Sequence, residues 1–282
     1  MRIFFVNLSA GGSGQVLNPR VYTVVPLIAA YLWVYERLRQ SGSSSRFDRI
    51  AENTAACCGS IALAALLYFE AASEWVVIAW ALMVMVLMAV AWILKRRLFL
   101  IQGLVFACVV FARALLYNLT APAMPGASFW HDRVACIGIS AAVLIFALPI
   151  AFRLRRRDEA VGSDGWMRWV KLVVARPEQL LFFAPLVLVT IMLAREMRAG
   201  MITITWSALG VGVFLVGLLV RERSYRLAGL GLLLLGVGKI LFIDIWKLAP
   251  RDRYITLIVM GVALLLVSFL YTRYREKILK FL

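Results

Sequence analysis

The run Gly229-Leu-Gly-Leu-Leu-Leu-Leu-Gly-Val-Gly-Lys239-Ile-Leu-Phe-Ile-Asp244-Ile-Trp246 decides how the rest of the chain is read. It is apolar enough to cross a bilayer, a task for which a helix needs roughly 20 residues, yet it contains a lysine and an aspartate. An ionisable group in hydrocarbon costs roughly 2.5–3.5 kcal/mol on insertion scales. Such groups persist only beside a partner, a water-filled cavity or a short reach to the interface. The run therefore points both to a membrane protein and to a candidate site.

The same composition extends outward from it. The 282 residues are 63% hydrophobic and 16% charged, with a mean hydropathy of +0.88. A soluble domain is about 45–50% apolar and about 25% charged. Sustained polar–apolar alternation is missing, which argues against a β-barrel. Backbone groups in lipid must then be satisfied within helices. The expected fold is all-α: a polytopic transmembrane helical bundle forming a single domain over residues 1–282. Nine spans are read, at Val21–Tyr35, Thr54–Phe69, Trp75–Leu94, Leu98–Leu116, Val134–Phe152, Leu180–Ala194, Met201–Val220, Arg226–Trp246 and Tyr254–Tyr274. The first and sixth are short. Met1–Ala10 lacks the pattern of a cleavable signal peptide.

Most of the 31 lysines and arginines fall in alternate connections, such as Lys95-Arg96-Arg97 and Arg153–Arg157. The positive-inside rule then puts the N-terminus outside and the C-terminus in the cytoplasm. The net charge of +16 is thus a topology signal and not a sign of nucleic-acid binding. The expected partners are anionic lipid headgroups at the cytoplasmic basic loops, together with a membrane-protein partner. Residues 153–177 form the longest cytoplasmic loop. Within it Trp166, Trp169, Val170 and Val173 share one helical face, as in an interfacial amphipathic helix. Cys57, Cys58, Cys108 and Cys136 lie in apolar runs without metal-ligand spacing, so no metal or cofactor is expected.

Glycines crowd the seventh and eighth spans: Gly210, Gly212, Gly217, Gly229, Gly231, Gly236 and Gly238. Small residues let helices approach closely. The sharper reading is a broken helix at Gly236–Gly238 that exposes backbone to a ligand. No convincing repeat relates the two halves, which counts against a secondary transporter.

The topology puts Lys239 in the outer half of the bilayer and Asp244 near its outer surface. Five residues at 100° separate the two by about 140° around the helix, so Asp244 shares a face with Lys247 and Arg251 instead. Glu70, Glu74, Arg113, His131 and Arg253 fall at a similar level. The expected ligand site comprises Lys239, Arg113, Glu70, Asp244 and Arg253. Lys239 and Arg113 would meet an anionic group, with Asp244 and Glu70 holding them in place. A local alternative has the two cations reaching the interface, with Asp244 paired along its own helix.

The stretches Trp206…Glu222-Arg-Ser-Tyr-Arg-Leu-Ala-Gly-Leu, Gly238-Lys-Ile-Leu-Phe-Ile-Asp244, Arg251-Asp-Arg-Tyr-Ile and Leu270-Tyr-Thr-Arg-Tyr-Arg-Glu276 resemble the DUF2339 family of predicted bacterial membrane proteins. Leu17-Asn-Pro-Arg20 looks like another family segment. The resemblance covers the last third well and the rest loosely. Family members are usually longer, so the chain resembles their C-terminal portion. The resemblance implies a bacterial inner-membrane location, no established activity, and a family pattern that includes Lys239, Asp244 and Arg253.

The sequence supports a non-enzymatic protein that binds, or helps translocate, an envelope-associated ligand through an outward-facing polar site. The alternatives are a structural or assembly subunit of a membrane complex and a membrane-embedded transferase with Glu70 or His131 as base. Enzyme motifs such as HExxH and GxSxG are missing, which disfavours the transferase.

Overall fold

The computed structural model describes residues 19–41, 45–120, 132–155, 173–197, 199–244, 246 and 250–273. Among them there is no strand. In chain order the helices are α1 (Pro19–Ser41), α2 (Arg46–Glu70), α3 (Val76–Leu94), α4 (Arg97–Arg113), α5 (Asp132–Phe146), α6 (Leu148–Leu154), α7 (Pro177–Glu196), α8 (Ala199–Leu219), α9 (Arg223–Lys239) and α10 (Pro250–Arg273). Two five-residue π-helical turns, Ala114–Asn118 and Ile240–Asp244, continue α4 and α9. The chain divides into two compact units, residues 1–189 and 190–282, with the division falling inside α7.

Eight stretches among the described residues are long and apolar enough to cross a membrane. They match the second to ninth runs read from the sequence. Helix α1 is not among them, because its apolar stretch ends at Glu36, Arg37 and Arg39 and encloses Pro26. Along α2–α10 much of the outward surface is large and apolar: Leu234 is 72% exposed and Phe242 81%. Water would penalise such a surface, whereas lipid matches it. The expected amphipathic helix around Trp166–Val170 lies outside the described residues.

In the first unit α3 packs against α4 and α5, and α1 against α2. The break between α5 and α6 follows from Pro149 at the start of α6, since proline removes a backbone donor and crowds the preceding turn. One polar cluster ties α2 to α4 inside the apolar packing. Ser60 donates to Gln102 Oε1 at 2.9 Å, and Gln102 Nε2 donates to Cys57 Sγ at 3.1 Å.

In the second unit α8 packs against α9 and α10, around Phe214, Leu233, Ile240, Met260, Ala263 and Val267. The glycines are of two kinds. A Cβ on Gly229 would lie 2.6 Å from Phe214 N and 2.7 Å from Gly210 O, so α8 and α9 meet backbone to backbone there. Gly212, Gly231 and Gly238 instead face open space among the described residues. The sequence placed a possible break at Gly236–Gly238. The structure keeps the helix intact there and widens it from Ile240, two residues after Gly238. Ile240 N–H donates to both Gly236 O and Val237 O as the π turn begins.

Candidate functional site

Lys239 is the last residue of α9 before the chain widens. Its Nζ donates to Thr203 Oγ1 on α8 at 3.1 Å. Thr203 is itself fully buried, so the ammonium is anchored by a neutral hydroxyl within the unit. Lys239 also lines an open groove of about 550 Å³, whose walls include Ala194, Trp206, Leu234, Leu235, Phe242 and Ile243. The Trp206 indole is fixed by donation from Nε1 to Thr190 O at 3.1 Å. Among the described residues the groove thus combines one cation, Lys239, with otherwise apolar walls. A π turn spreads the helix by one residue, and such turns are frequent at functional sites.

Arg113 occupies the corresponding place at the end of α4. Its Nη2 donates to Ser73 O, in the α2–α3 connection, at 2.8 Å. Three aromatic rings surround its guanidinium: Tyr117 at 4.7 Å, Tyr68 at 5.2 Å and Trp80 at 5.6 Å. A cation over an aromatic face is worth about 0.5–2 kcal/mol, the more so when desolvated. Its buried Nε has no hydrogen-bond partner among the described residues. Asn118, closing the π turn, donates from Nδ2 to Glu74 O at 3.1 Å. Both ends of this turn are thereby tied to the same connection.

The five expected site residues divide between the units. Glu70 ends α2 with an exposed side chain. It lies in sequence between Tyr68 and Ser73, both of which hold Arg113, so its backbone shares that corner. Lys239, Asp244 and Arg253 belong to the second unit. Asp244 ends the π turn and Arg253 lies in the first turn of α10; their side chains lie outside the described residues. The same holds for His131 and for the network expected between Asp244, Lys247 and Arg251.

Several contributors escaped the sequence reading. Thr203 and Trp206 are ordinary residues of an apolar span, and only the fold brings them to Lys239. Glu178, between the 153–177 loop and the span read from Leu180, was not singled out. It is 1% exposed, with Arg155 Nε 3.4 Å from its Oε1. Glu52 likewise pairs with Arg96 at 3.4 Å. Near these pairs is a cavity of about 290 Å³ lined by Trp92, Lys95, Arg96, Arg97, Arg153 and Arg155. The Arg153 guanidinium lies 4.9 Å from the Trp92 ring. Basic clustering in Lys95–Arg97 and Arg153–Arg157 was the available signal; that two connections share one cavity was not. Among the described residues, no group of three or more histidines, cysteines and carboxylates is placed to hold a metal ion.

Residues 179–274 match the family model DUF2339, described as a predicted membrane protein. The matched portion runs from α7 to the end of α10 and contains Lys239, Asp244 and Arg253. No curated protein and no solved structure matches the chain.

Proposed function

We propose that this chain is a multi-pass protein of a bacterial inner membrane that binds an anionic phospholipid of the envelope through the Lys239 groove. Counting α1 as a ninth, shorter crossing beside the eight apolar stretches puts the N-terminus outside, the C-terminus in the cytoplasm and the groove in the outer half of the bilayer. The observation that carries the proposal is the single ammonium of Lys239 on an otherwise apolar groove of about 550 Å³. Acyl chains suit the apolar walls, and a phosphate suits the cation in a low dielectric. The basic cavity at Lys95–Arg97 and Arg153–Arg155 supports headgroup contacts on the cytoplasmic side. Help with translocation is the further step of the same reading. No catalytic group enters it.

The test measures binding of short-chain phosphatidylglycerol to the full chain in neutral detergent, against phosphatidylcholine of equal chain length. Glycerol phosphate alone serves as a headgroup control. The wild type is expected to prefer phosphatidylglycerol and to bind glycerol phosphate weakly. Lys239→Met should lose the preference with helicity unchanged, and Lys239→Arg should keep it. Unchanged preference in Lys239→Met would end the proposal. The open faces of Gly231 and Gly238 support a second reading, a partner helix packed on α9. A stoichiometric membrane partner released by Gly231→Leu would favour it.

A further inference from the structure

Helices α2–α5 and α7–α10 share an internal plan that the sequence reading missed. Lys239 follows Arg113, and Trp206 follows Trp80, at the same offset: 239 minus 113 and 206 minus 80 are both 126. The correspondence runs without a gap from α2 to the end of the first π turn. Helices α4 and α9 each have 17 residues and each run straight into a five-residue π turn, at positions that correspond throughout. Lys95 and Arg221, the two non-glycine residues with positive φ among the described residues, also correspond (φ 54° and 61°). Trp80 donates from Nε1 to Ala64 O at 3.0 Å, as Trp206 does to Thr190 O. Gly103 receives Met88 where Gly229 receives Phe214. Glu52 and Glu178 correspond, and each pairs with an arginine at 3.4 Å. Identical residues are few, which hid the relation, but a constant offset across three helices and their connections is not expected by chance. The offset breaks only after the π turns, where the connections to α5 and α10 differ in length. There too the plan persists, since α5 packs on α3 as α10 packs on α8. Tandem repeats are a common basis of transporter folds.

The copies differ where a ligand would sit. The first copy's counterparts of Ala194 and Ile243 are Tyr68 and Tyr117, whose rings lie 5.2 and 4.7 Å from the guanidinium. In the second copy those rings are gone, and Ala194 and Ile243 line the open groove beside Lys239. We infer that the chain is a tandem repeat of a four-helix unit, in which the first copy fills with Tyr68 and Tyr117 the groove that the second, at Ala194 and Ile243, keeps open for an anionic phospholipid. This rests on the proposed function and adds to it one binding site per chain, a stated reason for that number, and two residues that set access.

The test exchanges the filling residues. Short-chain phosphatidylglycerol bound per chain is counted by native mass spectrometry, on the full chain in neutral detergent, with affinity measured alongside. Wild type is expected to take up one molecule. Ala194→Tyr with Ile243→Tyr, which copies the first unit's filling, should weaken binding by at least about tenfold, or 1.4 kcal/mol, with helicity unchanged. Tyr68→Ala with Tyr117→Ile should open a second site and raise the count to two. Wild-type affinity in the filled variant overturns the inference, as does a count of one in a folded opened variant. If the opened variant does not fold, the filled variant alone decides. Should Lys239→Met abolish binding while the filled variant retains it, the proposed function stands and the inference falls. Should Lys239→Met leave binding unchanged, both fall.

Discussion

Replacing Gly229 with alanine tests the backbone-to-backbone contact of α8 and α9. An added Cβ would lie 2.6 Å from Phe214 N, 2.7 Å from Gly210 O and 2.9 Å from Phe214 Cα. All three are backbone atoms, so no side-chain rotation relieves the contact. Ordinary carbon contacts need about 3.5 Å, so α9 must move away from α8 by close to an ångström. Overpacking of this kind costs about 1–3 kcal/mol. Alanine's better helix propensity returns at most about 1 kcal/mol. Gly231→Ala is the matched control, because its Cβ would meet nothing within 4 Å and only the propensity gain remains. Unfolding in mixed detergent micelles should therefore place Gly229→Ala below Gly231→Ala by about 1–3 kcal/mol. Gly103→Ala should fall between them, since its nearest neighbour is the flexible end of Met88, at 3.0 Å. Equal stability of Gly229→Ala and Gly231→Ala would refute the backbone-to-backbone packing of α8 and α9.

Other consequences follow from the same contacts. Arg113→Met should destabilise the chain by about 1–3 kcal/mol, read by thermal unfolding, because it removes the bond to Ser73 O and the stacking on three rings. Arg155→Met should cost about 3 kcal/mol, since it takes a cation from the buried Glu178 carboxylate; a change below the error of a melting curve would show that the pair contributes little. Gln102→Leu should cost about 1.2 kcal/mol, since it removes two side-chain hydrogen bonds, with Ser60 and Cys57, of the roughly 0.6 kcal/mol usual between membrane helices, while Ser60 keeps Ala56 O as an acceptor. Outside the eight apolar stretches, hydrogen bonds from Arg39 and then Gln40 hold the Glu36 carboxylate below the ordinary glutamate range. The stabilisation of that helix end is present above the unfolded glutamate pKa and is lost as pH falls through the lower folded value. A carbon-detected titration of Glu36 should show the lowered midpoint.

The helical class and the position of most helices were legible because the requirement of lipid is crude: long apolar runs, bounded by Lys95–Arg97, Arg153–Arg157 or Arg221–Arg223. Lys239 and Arg113 were equally legible, as charges where charge is costly. The partners of those charges were not. A cation in a membrane can be held by a threonine hydroxyl, a backbone carbonyl or the face of a tyrosine, and Thr203, Ser73 and Tyr68 carry no mark of that use in an apolar sequence. The π turns were hidden for a related reason, since Ile240–Asp244 and Ala114–Asn118 have the composition of ordinary helix. The repeat escaped because lipid-facing positions accept any large apolar residue. What persists is geometry at a few places, including Trp80 and Trp206, Gly103 and Gly229, and the left-handed residues Lys95 and Arg221.

Cross-linking reports whether the proposed anionic phospholipid occupies the Lys239 groove. A phosphatidylglycerol with a photoactivatable acyl chain is reconstituted with the full chain, and the modified residues are mapped by mass spectrometry. Labels should concentrate on Trp206, Leu234, Leu235 and Phe242, be suppressed by excess unlabelled phosphatidylglycerol and be lost in Lys239→Met. Labels spread evenly over the lipid-facing helices and unaffected by Lys239→Met would contradict that occupancy.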